Sequence, residues 1–299
     1  MRDYSSFFDG SEYFGALGIE NLLTPTPPFQ RTERSVTGIH VLSTKPHFAK
    51  NPLSPFEMRD TDKAVMRLSA LAWKKYNGNI YLITDKEGEE FVKREGLDGC
   101  YDDVITVLDR LSYDIDYRKF WSAGKLLALS ILKAPLAVID LDMIIWQPLK
   151  LSDSRLYVTH KEPTEPEVYP PFEYFSTADY YSFPKEWQRT AQPLNCSFMY
   201  FGDDEFKDYY VKCSLDFMQA ERSTPDNSVI CACFSEQRIL AECAEAFGVT
   251  ASTLLDIEKI LEPQTLLTHT WNAKNLISSE EEIKERFTKL VNKRLSELQ

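Results

Sequence analysis

At 299 residues, 43% hydrophobic and 27% charged, the chain has the composition of a folded protein with a sizeable core, not of a disordered one. Its 34 basic and 46 acidic side chains leave a formal charge of −12, which repels polyphosphate chains and anionic lipid, so no nucleic-acid partner is expected. No apolar run approaches the roughly 18 residues that cross a bilayer, and the opening MRDYSSFFDGSEYF lacks the basic-then-apolar order of an export signal, so a cytoplasmic protein without a transmembrane segment is expected.

Residues 1–35, with the turn-rich Thr24-Pro25-Thr26-Pro27-Pro28, read as an irregular wrap over the main body. Strands and helices then alternate. Gly38–Ser43 reads as a strand, Asp60–Tyr76 as a helix with Val65, Leu68, Leu71 and Ala72 on one face, and Asn79–Asp85 as a second strand. A short helix over Gly88–Glu95, a third strand over Asp103–Leu108, a helix over Tyr117–Leu132 and a fully apolar fourth strand over Leu136–Ile139 follow. This alternation predicts an α/β fold with a mostly parallel, Rossmann-like sheet flanked by helices. Ligands of such sheets sit beyond the carboxyl ends of the strands, which draws attention to Ser43, Asp85, Leu108 and Asp140.

Beyond Asp142 the pattern becomes mixed. Strands are expected at Arg155–Thr159 and Ser197–Phe201, helices at Glu205–Ala220 and Val229–Phe247, and a short strand at Thr265–Thr268. Residues 161–193 hold six prolines and many aromatics, which either line a cleft or pack as a loop over the sheet. The last helix opens with Ser279 and Glu282 at capping-box spacing and is assigned a structural role. The six cysteines show no metal-ligand spacing and read as free thiols or small hydrophobes.

Asp140-Leu141-Asp142 carries the chemistry. In an extended chain, residues i and i+2 point to one side, so the two carboxylates should converge. Paired hard oxygen ligands suit Mg²⁺ or Mn²⁺, ions that also hold substrate phosphates. The string occurs two more times, but Asp60/Asp62 opens a helix and Asp114/Asp116 lies in a polar connection. Only Asp140 and Asp142 follow an apolar strand, where two negative charges need a cation or hydrogen-bond donors.

Two patterns place such a pair after a strand. The haloacid-dehalogenase-like phosphatases use the first aspartate as nucleophile; Thr159, Lys161 or Lys185, and Gly202-Asp203-Asp204 would supply the remaining motifs. Against this reading, Met143–Arg155 contains Pro148 and no helical period, a poor connection for the parallel crossover that fold requires.

The other pattern is that of the GT-A glycosyltransferases. The chain resembles bacterial members through Phe120-Trp121-Ser122-Ala123-Gly124-Lys125, Val138-Ile139-Asp140-Leu141-Asp142, Pro193-Leu194-Asn195-Cys196-Ser197, Ser235-Glu236-Gln237-Arg238 and Thr268-His269-Thr270-Trp271-Asn272-Ala273-Lys274, in that order over about residues 36–275. The resemblance implies a single GT-A-like domain: 36–150 as nucleotide-binding half, 151–275 as acceptor half and 276–299 as C-terminal helix.

It further implies a hexosyltransferase-like enzyme that moves a sugar from a nucleoside-diphosphate-sugar donor to an unknown acceptor, a carbohydrate being one candidate. Asp140, Asp142 and His269 would hold the Mn²⁺ or Mg²⁺, and imidazole favours Mn²⁺. Lys274 would meet the departing diphosphate, although the histidine–lysine spacing departs from the His-x-x-Gly-x-x-Lys pattern of glycogenin-like enzymes. Lys125 would touch the donor, and Ser43, Thr44 and Asp85 would border base and ribose; Thr84-Asp85 also suits a turn before Gly88. Asn195 and Ser197 would contact acceptor or sugar, while Glu236 and Gln237 would face the reacting carbon as base or charge stabiliser. A nucleotide-sugar-binding protein without turnover satisfies the same residues.

Overall fold

The computed structural model describes residues 36–151, 154–224, 227–259 and 265–298; the expected N-terminal wrap, 1–35, lies outside them. In chain order the elements are β1 (Gly38–Leu42), α1 (Lys45–Lys50), α2 (Asp60–Tyr76), β2 (Ile80–Thr84), α3 (Lys86–Arg94), β3 (Asp103–Thr106), α4 (Ala123–Leu129), β4 (Leu136–Ile139), β5 (Met143–Ile145) and β6 (Leu156–Val158). Then come β7 (Phe198–Phe201), α5 (Asp204–Ala220), α6 (Ser228–Cys233), a π-helical turn (Phe234–Arg238), α7 (Ile239–Phe247), β8 (Ala251–Thr253), β9 (Leu267–His269), α8 (Lys274–Ser279) and α9 (Glu281–Leu298).

Seven strands form one sheet in the order β3-β2-β1-β4-β7-β6-β8. β1, β2, β3 and β4 pair in parallel, β7 runs antiparallel to both neighbours, and β6 pairs in parallel with β8. Six strands therefore share one direction, the mostly parallel sheet with a mixed second half expected above. One consequence matters for the site. The carboxyl ends of β1, β2, β4 and β6 and the amino end of β7 all reach the same edge.

The central strands are buried on both sides, and their alternation sorts residues between two cores. Leu136 and Val138 of β4, with Met199 and Phe201 of β7, face α4, α5 and α7; Ala137, Ile139, Phe198 and Tyr200 face Met66, Ala70 and Trp73 of α2. A third cluster joins Val65, Leu68 and Ala72 of α2 to Ile144, Trp146 and, on α9, Phe287 and Val291. The last helix thus has the structural role expected of it.

One expectation is corrected, and two segments that the sequence left open are defined. The helix expected from Tyr117 is regular only over Ala123–Leu129, because 117–122 forms turns before it. The segment after Asp142, where no strand was expected before Arg155, opens with β5, which leaves the main sheet and pairs antiparallel with β9, Met143 opposite His269. Period-two reasoning did not see β5, because a three-residue strand is too short to show a period. The aromatic segment 161–193 is mostly a packed cover: Phe172, Phe175 and Trp187 are buried with Phe217 and Phe234, while Tyr180 stays exposed.

Candidate functional site

The acidic pair sits where the sheet topology directs attention, but not in the conformation expected for it. β4 ends at Ile139, and the Met143 N–H donates to the Asp140 carbonyl at 3.0 Å, closing a β-turn over Asp140–Met143. Turn geometry, not strand alternation, brings the carboxylates together. The turn is anchored on three sides. Asp140 N donates to Ser197 O at 2.8 Å, Thr270 N donates to Asp142 O at 3.0 Å, and the Ser69 hydroxyl donates to Met143 O.

Because β5 and β9 pair with Met143 opposite His269, the imidazole is delivered beside Asp142. One ligand atom each from Asp140, Asp142 and His269 lie within 4.8 Å of one another. His269 Nε2 is buried, makes no hydrogen bond, and lies 3.5 Å from Asp142 Oδ1. Two carboxylate oxygens and an orphaned buried imidazole nitrogen are a donor set that fits Mn²⁺ or Mg²⁺, with the nitrogen favouring Mn²⁺. This group could bind a metal ion.

Two lysines balance the acids. Lys274 Nζ lies 2.8 Å from Asp142 Oδ2. Burial pushes the Asp142 carboxyl up, but the neighbouring His269 and Lys274 outweigh it and hold the group well below the usual carboxylate range. Lys125 Nζ lies 2.9 Å from Asp140 Oδ1 and 2.5 Å from Glu236 Oε1, and donates to Cys196 O at 3.2 Å. Burial lowers the Lys125 ammonium's proton affinity, yet Asp140 and Glu236 more than restore it and it stays charged. Burial, aided by the charge on Asp140 and opposed by Lys125, pushes Glu236 up from 4.5 to about 7. One ammonium between two carboxylates cannot neutralise both, and the more buried acid keeps its proton.

Local sequence explains these placements. Gly124 is what lets α4 lie on the end of β1: a Cβ there would come 2.8 Å from Ser43 Cβ, so a larger residue would displace the helix that carries Lys125. Glu236 and Gln237 lie on the π-helical turn between α6 and α7; such turns re-aim side chains and frequent functional sites. Gln237 accepts a hydrogen bond from Tyr169.

The remaining expected residues are placed as follows. Asp85 is buried and caps α3: its carboxylate accepts from Thr44 N at 2.7 Å, Thr44 Oγ1 at 2.9 Å, Gly88 N at 3.0 Å and Ser43 Oγ at 3.3 Å. That is the turn role the sequence also allowed. Asn195 is spanned by its own loop, donating to Glu162 Oε1 at 2.6 Å and accepting from Ser197 N at 3.1 Å. The acidic string 202–204 lies at the opposite edge of the sheet, since β7 runs away from Ser197. Asp203 there caps α5 and pairs with Arg155 at 2.6 Å, so it cannot meet Asp140 as a phosphatase motif would require. No helix occupies the described residues between β5 and β6 either.

Several residues of the site were missed from the sequence. His160, just past β6 and nearly fully buried, carries no motif; its Nδ1 lies 3.1 Å from Lys161 O, and burial lowers its proton affinity. His40, Ser69 and Tyr101, which lie beneath the acidic turn, are isolated polar residues in apolar strings. Trp271, by contrast, already stood in the 268–274 string; it is exposed at the rim, its ring stacked on His269 with centroids 6.3 Å apart. A cavity of about 240 Å³, lined by Tyr113, Lys133, Lys207 and Lys212 among others, includes none of these residues and lies toward the far end of α4.

With the site described, likeness to known proteins can be stated. The chain belongs to a family of unknown function, DUF6734, whose profile matches residues 62–275. No curated protein matches the sequence at a significant level. Among solved structures, the chain is similar to the apo structure of the bifunctional glycosyltransferase WbbM (9% identity, TM-score 0.41, covering 77% of this chain and 40% of that one). It is also similar to apo mouse xyloside xylosyltransferase 1 (12% identity, TM-score 0.39, 74% of this chain and 85% of that one). A third is the inositol-1-phosphate CTP transferase from T. maritima (10% identity, TM-score 0.44, 86% of this chain and 96% of that one). The similarity is distant and spans glycosyl- and nucleotidyltransferases. No helix among the described residues is long and apolar enough to cross a membrane.

Proposed function

We propose that this DUF6734 protein is a metal-dependent glycosyltransferase that moves a sugar from a nucleoside-diphosphate-sugar donor to an acceptor hydroxyl. The observation that carries the reading is the convergence of Asp140, Asp142 and the orphaned His269 nitrogen at the carboxyl edge of a mostly parallel sheet, with a lysine on either flank. Ligands of open α/β sheets bind at that edge.

Asp140, Asp142 and His269 would hold Mn²⁺ or Mg²⁺, which when bound neutralises charge on the leaving diphosphate. Lys274, on the Asp142 side, donates to that diphosphate as its charge grows. Lys125 orients Asp140 and reaches toward the donor. Ser43 borders the base and ribose, and Asp85 serves by fixing Ser43 and Thr44 in place. Asn195, held by Glu162, presents its loop to the acceptor side. Glu236, whose proton affinity lies near neutrality, exchanges a proton with the acceptor hydroxyl, and Gln237 with Tyr169 closes that side.

Thermal-shift titration of nucleoside diphosphates and their sugars, with and without Mn²⁺, tests the reading. A selective rise in Tm that requires the metal and vanishes in Asp142→Ala supports it. Metal-independent binding, or none across the common donors, overturns it. Binding without donor hydrolysis or transfer indicates a nucleotide-sugar-binding protein, and p-nitrophenyl phosphate hydrolysis lost in Asp140→Asn restores the phosphatase alternative.

A further inference from the structure

Beneath the acidic turn, three buried polar side chains run in a line from the far side of β1 to the backbone of Met143. Tyr101 Oη lies 2.9 Å from His40 Nδ1, His40 Nε2 lies 3.1 Å from Ser69 Oγ, and Ser69 Oγ donates to Met143 O. His40 and Ser69 are at most 1% exposed and Tyr101 is 6% exposed. The hydroxyl inventory fixes the direction of the line. Ser69 has one hydrogen and gives it to the carbonyl, so its oxygen can only accept from His40 Nε2–H; the lone pair on Nδ1 then accepts from Tyr101. A charged ring would reverse the Tyr101 bond, with Nδ1–H donating to the phenol oxygen; burial selects the neutral ring by pushing His40 from 6.5 down to about 3.

Met143 is the residue on which this line acts with most effect. Its N–H closes the turn on Asp140, its carbonyl is the relay's end point, and it stands opposite His269 in the β5–β9 pair. All three candidate metal ligands are therefore one or two backbone links from the carbonyl that Ser69 holds.

We propose that Ser69, oriented by His40 and Tyr101, is a positioning residue that sets the spacing of Asp140, Asp142 and His269, and with it the affinity of the site for a divalent ion. The inference rests on the metal reading of that cluster but concerns residues that touch neither metal nor substrate. Groups that orient metal ligands commonly change affinity 10–100-fold when removed.

Mn²⁺ binding, read from the electron paramagnetic resonance of free aqueous Mn²⁺ and needing no substrate, decides the matter. Ser69→Ala should keep the native fold by circular dichroism and bind Mn²⁺ about tenfold or more weakly, with Ser69→Thr recovering part of the loss. Val249→Ala, a core truncation on the other face of the sheet, serves as a destabilised control and should bind as the native chain does. Should Ser69→Ala not fold, Tyr101→Phe at the far end of the relay decides by a smaller loss in the same direction. Native-like Mn²⁺ affinity in the folded relay variant, or an equal loss in the control, overturns the proposal alone. Absence of Mn²⁺ binding by the native chain overturns the metal reading and this inference with it.

Discussion

Asp142 shares its surroundings with one lysine and the His269 imidazole, whereas Asp140 shares Lys125 with a second, more deeply buried carboxylate. Two residues apart in the sequence, the acids stand in opposite electrostatic situations. On the Asp142 side the carboxyl is held ionised by His269 and Lys274, and the His269 nitrogen beside it is a third atom able to ligate a cation. On the Asp140 side one positive charge faces two acids, and Glu236 answers by keeping a proton near neutrality. In the proposed enzyme one flank would take the metal and the other would hold a proton, and separating these tasks by only a turn would let both act on the same substrate.

The comparison can be broken first at Asp142. Asp142→Asn should abolish metal-linked thermal stabilisation and lower any transfer rate by roughly a thousandfold, or about 4 kcal/mol, the scale of a lost metal; titration calorimetry with Mn²⁺ and a donor-turnover assay check it. Lys125→Met attacks the other flank. It leaves Asp140 and Glu236 without their shared cation in a buried setting, and should destabilise the fold by about 3–5 kcal/mol, read as a lower urea midpoint.

Glu236→Gln sharpens the contrast through pH. Its folded proton affinity, about 7, exceeds the ordinary 4.5. The stability it contributes is therefore complete below pH 4.5 and lost as pH rises through about 7, roughly 3 kcal/mol over that window. In metal-free native protein, urea stability should decline across it, and Glu236→Gln should flatten the decline. The smallest effect belongs to His269→Gln. Without metal, the variant loses one of the two neighbours that hold Asp142 ionised, so Tm should fall by about 2–4 °C, while Mn²⁺ affinity falls about tenfold, or 1.4 kcal/mol.

Much of this arrangement was legible beforehand, for identifiable reasons. β1, β2 and β4 are apolar runs bounded by turn residues, and α2 carries an unbroken 3.6-residue pattern. The parallel sheet, and the edge at which ligands of such sheets bind, follow from them. Asp140 and Asp142 stood out because charge directly after a buried strand must be compensated. Asp85 shows the limit of that logic. Strand-end position marked it, but only its four internal donors reveal a cap. His160 and the His40–Ser69–Tyr101 relay left no trace, because a lone polar residue in an apolar string looks the same whether or not it has a partner 60 positions away.

The sequence by itself determined the strand order of chemistry: which segments are buried, where acids interrupt them, and that a cation or donors must follow. Tertiary structure alone decided who answers that demand. The pairing of β5 with β9 brings His269 to Asp142, and the packing of α4 and the π-helical turn puts Lys125 between Asp140 and Glu236. Periodicity reports which way a side chain faces within its own element, whereas Coulomb energy depends on distances between elements, which the fold sets.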